Sequence, residues 1–181
     1  ANNQDMLLIP DPSALLTTLS DQTYIGAYVP HNLVLMSDIH RLKYAMYLNN
    51  DAYEALKKMI DAMPDEIAND FYVKEAYTSF TDLQYSNPNL AGKDERQLGH
   101  TVSIASKSIA YQEFETSALS QWLEAHSYEY GFILRYPKRM ASSTNHVYDA
   151  HYYRYVGKKN ANKIYKENSC IEEYNQKGAA E

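Results

Sequence analysis

The chain has 181 residues, 45% hydrophobic and 22% charged, with six Gly, six Pro and a net charge of −6. This excludes collagen-like, low-complexity and disordered chains, and the length suits one domain with a sizeable core. No apolar run approaches the roughly 18 residues that span a bilayer, and the negative charge speaks against a nucleic-acid footprint. One cysteine, Cys170, leaves no internal disulfide framework and no multi-cysteine zinc site. Residues 1–10 show no basic segment followed by an apolar one, so no signal peptide is expected within the chain. Eighteen Tyr against four Phe supply rigid contact area with polar tips, which suits a polar cleft, a partner surface or simply a Tyr-biased core.

Residues 1–10 read as an arm. Asp11-Pro12 before Ser13-Ala14-Leu15-Leu16 reads as an N-cap and first-turn proline opening a short helix. Residues 24–34, with Gly26 and Pro30, are expected to be extended. Asn49-Asn50-Asp51 offer N-cap side chains to a helix with Ala52, Leu56, Met59, Ile60 and Met63 at helical spacing, ended by Pro64. Aromatic and β-branched residues make 71–77 a strand, and a turn-rich loop follows through Gly92-Lys93-Asp94. Residues 101–104 alternate, Val102 and Ile104 on one face and Thr101 and Ser103 on the other. Residues 117–130 read as one helix with Leu119, Trp122, Leu123 and His126 on a core stripe, closed by Gly131. Residues 132–136 and 152–156 read as strands, and 158–168 as a helix with Ala161, Ile164 and Tyr165 inward. A few strands with segregated helices predict a single α+β domain, its small, mainly antiparallel sheet flanked by helices.

The run Tyr130-Gly131-Phe132-Ile133-Leu134-Arg135-Tyr136-Pro137-Lys138 is followed by Tyr153-Arg154-Tyr155-Val156-Gly157 and Glu172-Glu173-Tyr174. It is preceded by Tyr28-Val29-Pro30 and Asn32-Leu33-Val34. In order and spacing these blocks resemble the VanY-like D-alanyl-D-alanine carboxypeptidases, zinc peptidases that trim peptidoglycan stem peptides. The resemblance implies a VanY/Hedgehog-like peptidase fold over residues 24–175, with an arm and short helix at 1–23 and a tail at 176–181. It also implies a bacterial protein working outside the cytoplasmic membrane, at the cell wall or cell surface.

The zinc chemistry of that family is not matched. Its Ser-x-His-x-x-Gly-x-Ala-x-Asp block reads Asp94-Glu95-Arg96-Gln97-Leu98-Gly99-His100-Thr101-Val102-Ser103 here, so the implied His and Asp ligand positions hold Arg96 and Ser103. Its Glu-Pro-Trp-His-Tyr-Arg-Tyr block reads Asp149-Ala150-His151-Tyr152-Tyr153-Arg154-Tyr155. The general-base position is thus Asp149 and the third ligand position Tyr152. Its Ser-Gly-Tyr-Arg-Ser block reads Glu75-Ala76-Tyr77-Thr78-Ser79, with Thr78 at the substrate Arg. Catalytic zinc needs three lone-pair ligands and one open position. Arg96 has no acceptor and keeps its proton, and Ser103 and Tyr152 would have to ionise to bind the ion. Without metal nothing lowers the pKa of water from about 15.7 toward 7.

Other residues carry less. A site rebuilt from His100, His126, His146 or His151 would need new geometry and new supporting residues, and strand alternation turns His151 away from Tyr152. Cys170 has no neighbouring base and reads as a buried small hydrophobe, Ser103 lacks a nucleophile elbow, and Lys57-Lys58 and Lys158-Lys159 read as solvated helix faces. The expectation is a catalytically inactive VanY-like domain without zinc, acting as a protein-interaction or regulatory module. Its cleft is expected to be lined by Tyr77, Thr78, Arg96, Ser103, Tyr148, Asp149, Tyr152 and Arg154. Two alternatives stay open: a binding module for peptidoglycan stem peptides, and an active carboxypeptidase with an altered metal site.

Overall fold

The computed structural model describes residues 6–180, so the first five residues of the expected arm and residue 181 of the expected tail lie outside the described residues. In chain order, β1 (Leu7–Leu8) pairs in parallel with β2 (Thr23–Tyr24), and β3 (Leu33–Leu35) pairs antiparallel with β4 (Tyr47–Asn49). Helices α1 (Asn50–Asp61) and α2 (Asp65–Asp70) lead into β5 (Phe71–Glu75) and α3 (Phe80–Ser86). Then come β6 (Thr101–Ser106), α4 (Ala118–His126), β7 (Phe132–Tyr136), α5 (Ala141–Thr144), β8 (Asp149–Tyr155), α6 (Lys158–Lys166) and α7 (Ile171–Ala180). The main sheet is antiparallel in the order β5-β6-β8-β7. This is the expected α+β domain.

Helix α1 starts where Asn49 accepts hydrogen bonds from the backbone of Asp51 (3.0 Å) and Ala52 (3.2 Å), quieting two N–H groups without helical partners. Its apolar stripe, Ala52, Tyr53, Leu56 and Met59, packs with Leu119 and Leu123 of α4 on one face of the sheet. That face presents Phe71, Val73, Val102, Ile104, Phe132 and Tyr153, all buried. Each large apolar side chain so buried contributes on the order of 1.5–3 kcal/mol. The opposite face of the sheet carries the polar residues discussed below.

Several expectations change. Residues 13–16 form turns rather than a helix, because Arg154 draws the carbonyls of Leu15 and Thr17 (2.9 and 3.0 Å) that a continuing helix would use. The predicted 117–130 helix divides into α4 and a separate 3-10 turn, Ser127–Tyr130, where the His126 backbone leaves helical geometry (φ −128°). His126 is half-buried at the end of the stripe, its ring 4.9 Å from that of Trp122 and its Nδ1 3.0 Å from Glu129. Strand β6 is buried on both faces, Val102 and Ile104 on the core side and Thr101 and Ser103 on the other. Tyr165 is not inward. Ala161 and Ile164 complete the α6 stripe, and Tyr165 stacks on Tyr128 near the surface at 3.8 Å. Helix α7 continues through residues expected to be a tail. In the N-terminal segment, the carbonyls of Leu15 and Thr17 accept from buried Arg154 and that of Leu16 from Asn175.

Candidate functional site

Two local irregularities aim polar residues at one cleft. In β5, Val73 pairs with Ile104 but Glu75 pairs with Ser103, so Lys74 is an extra residue and Glu75 leaves the core face that Val73 occupies. In β8, Tyr153 pairs with Leu134 but Asp149 with Tyr136, a register shift that lets Asp149 and Tyr152 line the same cleft although they stand three apart. Gly99 ends the 3-10 turn Glu95–Leu98 in the left-handed region (φ 83°), and a Cβ there would meet Pro30 at 3.1 Å. That turn hands Asp94, Glu95 and Arg96 to the cleft.

The cleft has a volume of about 500 Å³ and is lined by Asp94, Arg96, Thr101, Tyr136, Asp149 and Tyr152, with Leu19, Ser20 and Asp21 of the N-terminal segment as one wall. Ser103 is in register with Tyr152 on the neighbouring strand and is buried. Arg96, Asp149 and Tyr152 line this cleft together, and Ser103, expected with them, is not among its lining residues. The other four expected cleft residues are elsewhere. Tyr148 alternates with Asp149 and turns to the core face, where Lys138 lies over its ring and burial first, then Glu124 and Glu115, push its phenol up to about 12. Tyr77 and Thr78 follow the end of β5, and Glu75 takes the cleft position; the Thr78 hydroxyl donates to Ala76 O at 3.1 Å. Arg154 is fully buried behind the cleft.

Arg96 does not pair with Asp149. Asp94 caps the Arg96 backbone N–H (2.9 Å) and takes its guanidinium through both oxygens (2.9 Å each). The same guanidinium lies 3.3 Å from Glu75, and the Tyr152 hydroxyl donates to Glu75 at 2.6 Å. Asp149 instead accepts from its neighbour's backbone, His151 N, at 2.9 Å. Glu75 was invisible as a site residue because its alternation with Val73 assigns it to the core; only the Lys74 bulge reveals it. Burial, then the bond to Glu75, pushes the Tyr152 phenol up, so it remains a protonated donor. Burial disfavours the Arg96 charge, but Asp94 more than reverses this and raises its pKa.

Three positions that would have to hold a metal are thus a paired guanidinium, a buried hydroxyl and a protonated phenol. These residues do not fit zinc. Among the described residues no group of three His, Cys, Asp or Glu is placed to hold a metal ion. Two of the candidate histidines are engaged otherwise. His151 turns away from Tyr152, its ring nitrogens 2.7 and 2.9 Å from the carbonyl oxygens of Ile104 and Tyr111. His146 stacks on Tyr136 at 3.8 Å. Cys170 is buried, which raises its thiol pKa.

Behind the cleft lies a charged cluster that sequence patterning did not single out. Glu95 accepts from Arg135 (2.7 and 2.8 Å), from Arg154 (3.2 Å) and from Leu19 N (3.3 Å). Arg135 reaches on to Glu172 of α7 at 2.5 and 3.1 Å. Burial pushes the Glu95 carboxyl up, and the two guanidinium groups overcome this, holding it at about 2. Gln97, also buried, bonds Gly26 O, Tyr28 O and Gly92 N at 2.9–3.1 Å and fixes the loops at the cleft's end.

Residues 82–158 match the VanY D-alanyl-D-alanine carboxypeptidase family. Over this segment the chain carries a VanY-family domain. A putative carboxypeptidase, YodJ, of Bacillus subtilis (strain 168) is 28% identical over 93% of this chain and 70% of its own length. A D-alanyl-D-alanine carboxypeptidase of Enterococcus faecalis (strain ATCC 700802 / V583) is 34% identical, but the match spans 67% of this chain and only 44% of that protein. The solved structure of the LdcB LD-carboxypeptidase, described as revealing the basis of peptidoglycan recognition, superimposes with a TM-score of 0.85. It shares 26% identity and covers 97% of this chain and 92% of its own. A VanY mutant from a VanB-type resistance cassette, solved in complex with Zn(II), shares the fold, with a TM-score of 0.65 at 24% identity over 91% of this chain and 99% of its own.

A double-mutant cycle checks the tie at the cleft. Arg96→Ala and Glu75→Ala should couple by about 1 kcal/mol in unfolding free energy, the value for partly exposed pairs, while Arg96→Ala and Asp149→Ala should couple by about zero. Coupling of Arg96 to Asp149 as large as to Glu75 would contradict the geometry.

Proposed function

We propose that this VanY domain is catalytically silent and serves as a protein-interaction or regulatory module, at the cell wall or cell surface where the family's substrate lies. The observation that carries the reading is the Arg96–Glu75–Tyr152 tie in the cleft. A guanidinium, held by Asp94 and Glu75, stands among the groups that would have to bind the ion and repels it. With no metal to acidify a water, Asp149 has no nucleophile to deprotonate, and its carboxylate is engaged by the His151 backbone. The fold is kept by a well-packed core and a buried ion network, which supports use as a scaffold.

Purified protein should release no D-alanine from a pentapeptide stem, with or without added Zn²⁺. Zinc-stimulated release of the terminal residue would overturn the proposal and favour an active carboxypeptidase with an altered metal site. A second reading, stem-peptide binding without cleavage, draws on the cleft itself, which stays open at about 500 Å³. Against it, Thr78 supplies no guanidinium for a terminal carboxylate and points back to Ala76. Calorimetric titration with the pentapeptide separates the two, since heat of binding without turnover is expected only for the second.

A further inference from the structure

On the free edge of β5, away from the cleft, the segment 37–44 is held to the strand by Leu42 N to Val73 O (2.8 Å) and Val73 N to His40 O (2.9 Å). It surrounds an open cavity of about 570 Å³ with Lys107 and Tyr72 on the far side. Three permanent cations converge there, Arg41, Lys43 and Lys107, on a protein whose net charge is −6. Among the described residues none of the three is salt-bridged to a carboxylate. The one acidic lining residue, Asp38, is engaged by the Tyr53 hydroxyl at 3.2 Å and lies 4.0 Å from Lys57.

The guanidinium of Arg41 is fixed in place by neutral groups. Its Nε donates to Tyr44 O (2.8 Å), its Nη1 to Ser37 O and Ile39 O (3.2 Å each), and it lies 5.3 Å from the Tyr44 ring centroid. These carbonyls orient the fork without neutralising it, and Nη2 keeps its donors without a partner among the described residues. Lys107 donates to His40 Nδ1, which leaves the proton of that ring on Nε2 as a further donor. An oriented guanidinium, two ammonium groups and an imidazole N–H around one cavity are the donors that a multiply charged oxyanion recruits.

We propose that this edge cavity binds phosphate groups, through Arg41, Lys43, Lys107 and His40, independently of the cleft. The shared chemistry is a phosphate oxyanion, offered by a soluble phosphate or by the headgroup of an anionic lipid. The exposed Leu42 and Tyr44 flanking the cations would contact the acyl boundary only in the second case.

The test titrates isotope-labelled protein with inorganic phosphate at low salt, and sediments it with phosphatidylcholine vesicles with and without phosphatidylglycerol. Saturable amide shifts confined to residues 37–44 and 107 are expected, weakened about tenfold or more by Lys43→Glu with Lys107→Glu and further by salt. The same charge change on α6, Lys163→Glu with Lys166→Glu, should leave the shifts intact. Sedimentation that needs phosphatidylglycerol assigns the phosphate to a lipid, and shifts without sedimentation assign it to a soluble group. Absent or scattered shifts, equal loss in the α6 control, or binding of polyglutamate but not phosphate would overturn the proposal.

Discussion

Replacing Glu95 by Gln should destabilise the protein by about 3–5 kcal/mol, the range for breaking a buried charge network by removing one partner. The carboxylate is the centre of the cluster: it alone joins Arg135, Arg154 and the N-terminal segment at Leu19. An amide of the same shape keeps one acceptor but turns N–H groups toward guanidinium donors. Arg154, fully buried, would then keep only the carbonyls of Leu15 and Thr17, with its charge uncompensated. For a chain of this size the loss corresponds to a fall in Tm of roughly 10 °C. Glu172→Gln should cost much less, because that carboxylate is partly solvated and Arg135 retains Glu95. Urea unfolding of the two variants gives the comparison. A Glu95→Gln loss under about 1 kcal/mol, or one no larger than that of Glu172→Gln, would show that the cluster is not the keystone its burial implies.

Acid should unfold the protein in two stages, and His100 should set the first. Burial, and then the charge of Arg154, depress its imidazole from 6.5 to about 4. A histidine lowered in the folded state contributes stability that is complete above pH 6.5 and is lost as the pH falls toward 4. The full difference amounts to roughly 3 kcal/mol. Glu95, depressed from 4.5 to about 2, adds a second loss over the interval from pH 4.5 to 2, of similar order. Stability measured by urea unfolding between pH 8 and 3 should therefore fall steadily below about pH 6.5. His100→Gln should flatten the curve between about pH 6.5 and 4 while leaving the lower stage. A wild-type curve already flat across the upper interval would mean that the buried ring is protonated without cost, against its packing beside Arg154.

Much of the fold was legible because it rests on local signals. The N-cap at Asn49 and the stripe Ala52, Leu56, Met59 need only helix geometry, and Gly131 after a helical run needs only its left-handed backbone (φ 89°). The family resemblance was legible too, since motif order survives when individual ligands change. Tyr165 was misplaced because periodicity tells which residues share a stripe but not where the stripe ends. The short helix expected at 13–16 failed for a non-local reason, the capture of its carbonyls by a side chain more than a hundred residues away.

For this protein, then, the amino-acid sequence by itself determined the α+β class and the family resemblance, because those follow from residue identity, order and spacing. The tertiary structure alone decided how the cleft residues pair. Asp149 is the obvious partner for Arg96 in the motif, yet the Lys74 bulge turns Glu75 into reach and the His151 backbone holds Asp149. It also decided that Arg154 is a buried anchor rather than a cleft residue, and that Glu95, Arg135 and Glu172 meet. Charge pairing across 40 or more residues depends on strand register and bulges, and neither leaves a periodic trace in the chain.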